Sequence, residues 1–101
     1  QKNLLMEKIH QFSEKWEPVM GVHAQSFTLR SMKTIWGSCS TKIGRIRINL
    51  QLAVYPDDCI EYVVVHELCH LLEPSHNTRF HQLMTKFLPD WKERKRLLNQ
   101  Q

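Results

Sequence analysis

Residues 57 to 76 read DDCIEYVVVHELCHLLEPSH, and the organisation of the chain follows from this stretch. Pro56, Asp57 and Asp58 announce a helix start, and Asp58 with Glu61 three residues on fits a capping box. Pro74 cannot continue a helix and restricts the residue before it, so the spacing predicts a helix from about Cys59 to Leu72. At about 100° per residue, Ile60, Val64, Leu68, Leu71 and Leu72 share one face. His66 and His70 share another, one turn apart, with Glu67 beside them.

Two imidazoles at i and i+4 suit one zinc ion, because they are neighbours on the helix surface and imidazole nitrogen is a good zinc ligand. A catalytic zinc takes three protein ligands and keeps a position for water. The spacing favours His76 as the third, reached by a turn past Pro74; Glu73, one turn beyond His70, is the competing donor. Glu67 is placed to act as general base on a metal-activated water and to carry the proton to a leaving amine, which makes peptide hydrolysis the implied reaction. The His-Glu-x-x-His pattern is weak alone. It gains weight from the helix start, the opposite apolar face and the third His after the break.

Upstream, Leu5, Ile9, Phe12 and Trp16 recur at helical spacing among Lys and Glu, predicting an amphipathic helix over residues 2 to 17 that Pro18 and Gly21 end. Phe27 and Leu29 alternate with Thr28 and Arg30, and Ile46, Ile48 and Leu50 alternate with Arg45, Arg47 and Asn49, so both runs read as strands and as antiparallel neighbours. Between them SMKTIWGSCSTKIG, residues 31 to 44, carries Gly and Ser at turn-forming density and reads as an irregular connection. Two strands alone are marginal, so the ribbon must lie on helices. Downstream, a helix follows Asn77 with Phe80, Leu83, Met84, Phe87 and Leu88 on one side, and Asp90 with Glu93 caps a last one after Pro89. The fold class is therefore α+β, a short antiparallel sheet packed on helices.

A length of 101 residues allows one hydrophobic core and a single domain over residues 1 to 101. At this size a bound metal adds its binding energy to folding. The initial Gln1 implies a piece of a longer chain. There is no apolar run of about 20 residues and no signal-peptide pattern, so neither a membrane nor export is indicated. Cys39, Cys59 and Cys69 are too few and too scattered for a disulfide framework, which points to a reducing, cytoplasmic setting. All three read as structural, and His10, His23 and His81 read as surface residues. The net charge of +4 gathers at Lys92, Arg94, Lys95 and Arg96, which read first as a solvated helix face and only second as a nucleic-acid contact.

Three ordered blocks, MKTIWGSCS at Met32 to Ser40, RIRINLQL at Arg45 to Leu52 and YVVVHELCHLLEPSHNTRF at Tyr62 to Phe80, resemble the YgjP-like metallopeptidases, zincin relatives of the SprT-like proteases. The resemblance implies a small zincin-like domain with zinc on His66, His70 and His76 and Glu67 as catalytic acid/base. Trp36, Gly37 and Ser38 match a family signature and are candidate substrate contacts, and the segment from Met32 to Leu50 becomes the expected platform for a peptide or protein substrate. The alternative for Trp36 is simple core packing. Metzincins are a poorer match, because Glu73 replaces their Gly and no Met-turn follows. Two other functions compete: a binding module in which a fully protein-ligated metal only holds helices together, and a SprT-like protease acting on DNA-bound proteins. Oligomeric state is not legible.

Overall fold

The computed structural model describes residues 2–100. Helix α1 (Lys2–Met20) buries Leu5 and Ile9 and packs Phe12 and Trp16 against the core. It runs three residues past the expected end, because Pro18 sits in its exposed last turn. The carbonyl deprived of a donor there belongs to exposed Glu14, on the solvent side. Gly21, at φ +70°, closes the helix with its N–H on the Glu17 carbonyl at 2.8 Å.

Strands β1 (Ser26–Arg30), β2 (Gly37–Ser40) and β3 (Arg45–Asn49) form one sheet in the order β1-β3-β2. The two runs expected to be neighbours are neighbours, but β1 and β3 are parallel, and the sheet is mixed rather than antiparallel. The antiparallel partner of β3 is β2, taken from the segment expected to be irregular. Gly37, Ser38 and Ser40 resemble turn residues in composition, yet strand pairing is made by the backbone. The return from β2 to β3 turns at Gly44 (φ +73°), whose N–H meets the Ser40 carbonyl at 2.7 Å and whose carbonyl receives the Gln25 N–H at 2.8 Å. Ile46 and Ile48 of β3 are fully buried.

A short 3-10 turn, Leu50–Val54, leads to α2 (Asp57–Cys69). Helix α2 is central. Every residue from Cys59 to Val65 and from Glu67 to Cys69 is buried, so it is not the two-faced helix its pattern suggested. The capping box is absent, because Glu61 is turned into the interior: its carboxylate accepts from Lys15 Nζ (2.8 Å) and Trp16 Nε1 (2.7 Å) of α1 and from Arg94 Nη1 (2.9 Å). Burial alone raises this carboxyl, but the three donors outweigh it and hold the Glu61 pKa below the usual range. The helix ends at Cys69, short of the expected Leu72, and residues 70–72 form a turn.

Helix α3 (Thr78–Phe87) begins as expected at Asn77, whose side-chain oxygen accepts the Phe80 N–H at 3.0 Å. Helix α4 (Trp91–Leu98) lacks the expected side-chain cap, because Asp90 and Glu93 pair with Arg94 and Arg96 instead. Among the described residues no helix is long and apolar enough to cross a membrane.

Candidate metal centre

His66 leaves the last turn of α2 and His70 follows as its C-terminal cap, so helix periodicity alone sets the two rings side by side, with centroids 5.1 Å apart. The turn through Pro74 then brings His76 back. Its Nε2 lies 3.2 Å from Nε2 of His66 and 3.0 Å from Nε2 of His70. Ligands about 2.0–2.1 Å from a common tetrahedral centre stand about 3.3–3.4 Å apart, so this spacing fits a three-histidine metal site. His70 Nδ1 lies 3.1 Å from the Glu73 carbonyl oxygen, which can only accept. The proton is therefore on Nδ1, and the Nε2 lone pair faces the cluster, as in ligands steered by a backbone carbonyl.

The surroundings favour neutral rings at His66 and His70. Burial, with the adjacent His70, His76 and Lys95, holds His66 down at about 3, and burial also lowers His70 despite its bond to Glu73. Beneath the rings lies Phe80, stacked on His70 at 4.5 Å and 25° and meeting His66 and His76 at 4.9 and 5.0 Å. Glu73, the competing donor, is engaged elsewhere: its carboxylate accepts from Arg79 (3.1 Å) and from the Ser75 N–H (3.2 Å). Arg79 also donates to the Leu72 carbonyl at 2.7 Å, so one guanidinium fixes the turn that presents His76. Among the described residues no fourth His, Cys, Asp or Glu donor joins the three.

Glu67 is 4% exposed, and burial pushes its carboxyl up to about 8. It borders a cleft of about 550 Å³ that the three histidines also line. Trp36, Gly37 and Ser38 of the sheet and Lys95, Leu98 and Asn99 at the end of the chain also line it. Trp36 lines the cleft and packs edge-on against Tyr55 (5.1 Å), with Nε1 donating to Asn99 Oδ1 at 3.1 Å.

Two contributors escaped the sequence reading. Phe80 belongs by its spacing to an apolar helix face, and the fold sets its ring against His66, His70 and His76. Asn49, read as the polar member of an alternating strand, is buried and donates to the Met32 and Ile35 carbonyls, both at 2.9 Å, while its backbone N–H meets the Trp36 carbonyl. It thereby holds the segment that forms the cleft wall. An Asn at a strand end next to a Gly/Ser-rich segment was the available signal.

The other singled-out residues lie outside the cluster. His10 meets Phe27 edge-on, His23 pairs with Glu17, and His81 stacks on Trp91. Cys59 and Cys69 are buried, Cys39 lines the cleft half-buried, and all three are free thiols. In the basic cluster, Arg94 is bound to Glu61 and Asp90, and Arg96 pairs with Glu93.

A YgjP-like metallopeptidase domain model matches residues 1–101. Comparison with curated proteins gives no significant match. The fold is similar to the crystal structure of the metallopeptidase zymogen abylysin of Pyrococcus abyssi, at TM-score 0.76 and 20% identity over 92% of this chain and 96% of that one. It is also similar to the metallopeptidase zymogen jannalysin of Methanocaldococcus jannaschii, at TM-score 0.76 and 18% identity over 91% and 94%. At these identities the likeness is one of fold.

Proposed function

The chain belongs to the YgjP-like metallopeptidase family, and from that premise we propose that it is a zinc peptidase with His66, His70 and His76 as ligands and Glu67 as general base. The observation that carries the ligand set is the convergence of three Nε2 atoms, with the His70 tautomer fixed by the Glu73 carbonyl. Zinc suits an all-imidazole set of three. When bound, it supplies Lewis acidity for water and for the scissile carbonyl.

Glu67 removes the proton of the attacking water and returns it to the departing amine; a divalent cation held by the three histidines would offset the burial that raises its carboxyl and so keep it ionised for that role. Its burial keeps bulk water from competing for that proton. Strand β2 is an edge of the sheet, and a substrate in extended conformation pairs with its open side across the cleft, by the backbone hydrogen bonding of strand addition. Trp36 and Ser38 then contact the substrate from the same wall. The set of three donors, with no fourth among the described residues, favours this reading over a metal that merely staples helices. Free thiols at all three cysteines suit a reducing, cytoplasmic setting.

The test is metal analysis joined to a peptidase assay on the purified chain. Wild type is expected to hold one zinc and to cleave denatured casein. His76→Ala loses both, and Glu67→Gln keeps zinc and loses cleavage. An active Glu67→Gln variant sinks the assignment of the base, and a zinc-replete His76→Ala variant sinks the ligand set.

A further inference from the structure

Gly37 opens β2, paired with Ile48 of β3, and faces the side chain of Glu67. A Cβ built at this position would lie 3.0 Å from Glu67 Oε2, 3.1 Å from Glu67 Cγ and 3.1 Å from the Arg47 carbonyl oxygen. The positive-φ glycines are Gly21 and Gly44, so Gly37 has a backbone that other residues could adopt. Space, not conformation, is what limits a side chain here.

Resting on the reading of Glu67 as the base, we propose that Gly37 is a positioning residue: its bare backbone is the wall that sets where the Glu67 carboxylate stands. This is a role distinct from substrate contact. No donor among the described residues fixes that carboxylate, which is shaped by packing alone. Carbon atoms in contact prefer about 3.5–4.0 Å, so a methyl group at Gly37 displaces something by roughly 0.5 Å. The Arg47 carbonyl belongs to the central strand, held between two neighbours, whereas the carboxylate ends a rotatable side chain. The carboxylate is the part that yields. A general base acts within a narrow range of distance and angle, and a shift of this size reaches the proton transfer without touching the histidines.

Gly37→Ala is expected to keep one zinc per chain, to lower kcat on denatured casein by about ten- to a hundredfold, and to leave KM within about threefold. A thermal-melt cycle reads the contact independently of activity: the added methyl lowers Tm in the wild-type background and lowers it less in Glu67→Ala. Unchanged kcat, loss of zinc, or an equal Tm cost in both backgrounds overturns the proposal. If Gly37→Ala does not fold, the double variant decides. Recovery of folding in Gly37→Ala/Glu67→Ala supports the contact, and failure to recover assigns the clash to the Arg47 backbone and overturns it. Full activity in Glu67→Gln instead removes the base reading, while the Tm cycle still measures whether the two residues touch.

Discussion

Phe80 and His70 are a stacked pair, rings 4.5 Å apart and 25° from parallel, which joins the start of α3 to the end of α2 at the point where His66, His70 and His76 meet. Phe80 is 1% exposed, so the pair is both core and site. Phe80→Ala should cost about 3–5 kcal/mol of stability in urea unfolding. It should also weaken zinc binding in a chelator competition, because the three rings lose their common support; wild-type zinc affinity in a folded Phe80→Ala would show that the histidines hold themselves.

Arg79 offers a second handle on the same ligands. By pinning the Leu72 carbonyl and the Glu73 carboxylate it fixes the turn that delivers His76. Arg79→Ala is expected to lower zinc affinity by about 10–100-fold with His66 and His70 unchanged. Arg79→Lys should recover part of this, since both bonds leave the single Nη1 nitrogen and one ammonium can also donate to two oxygens, though from a shorter side chain. Equal affinity in all three proteins argues against the role.

Asn49 is expected to show an order among its variants that charge alone dictates. Alanine abandons the carbonyls of Met32 and Ile35, at a cost of about 1–3 kcal/mol. Aspartate, nearly the same shape, should be worse than alanine at neutral pH, because a carboxylate cannot donate and faces two carbonyl oxygens. The folded variants should raise KM more than they lower kcat, as the wall bearing Trp36 loosens. The ranking is read by chemical denaturation and steady-state kinetics.

Glu61 predicts an acid limb to the stability curve. Its folded pKa is depressed, so its contribution is fully present above the unfolded value of about 4.3 and disappears as pH falls through the lower folded value. Melting temperature followed from neutral pH down to about pH 3 should therefore fall less steeply in Glu61→Gln than in wild type, although the variant is less stable at neutral pH. Parallel curves would mean that Glu61 is not a determinant of the acid transition.

The sequence carried the site further than the sheet. His66 and His70 are set by helical period, and a proline between His70 and His76 leaves the chain little choice but to turn, so the grouping of the three imidazoles was legible in the sequence. The α+β class was legible for the same reason. Strand direction was not, because alternation in Phe27–Leu29 and Ile46–Ile48 reports which face is buried and carries no sense of direction. Strand β2 was missed because Gly37, Ser38 and Ser40 have turn-like side chains and strand-like pairing. The capping box failed through tertiary competition: Glu61 found Lys15, Trp16 and Arg94, stronger partners than a backbone N–H at its own helix start.

The position of β2 within the chain has a consequence for how such a protein can diversify. It is an excursion between β1 and β3, two strands that are paired with each other whatever happens between them. The pairing register of β1 with β3 does not pass through residues 33, 34 and 41–43, so side chains can change there while that ladder keeps its place. The fold thus sets a part that can be revised beside a part that must be inherited intact, and Thr34 and Thr41 of the first border the same cleft as His66 and Glu67 of the second.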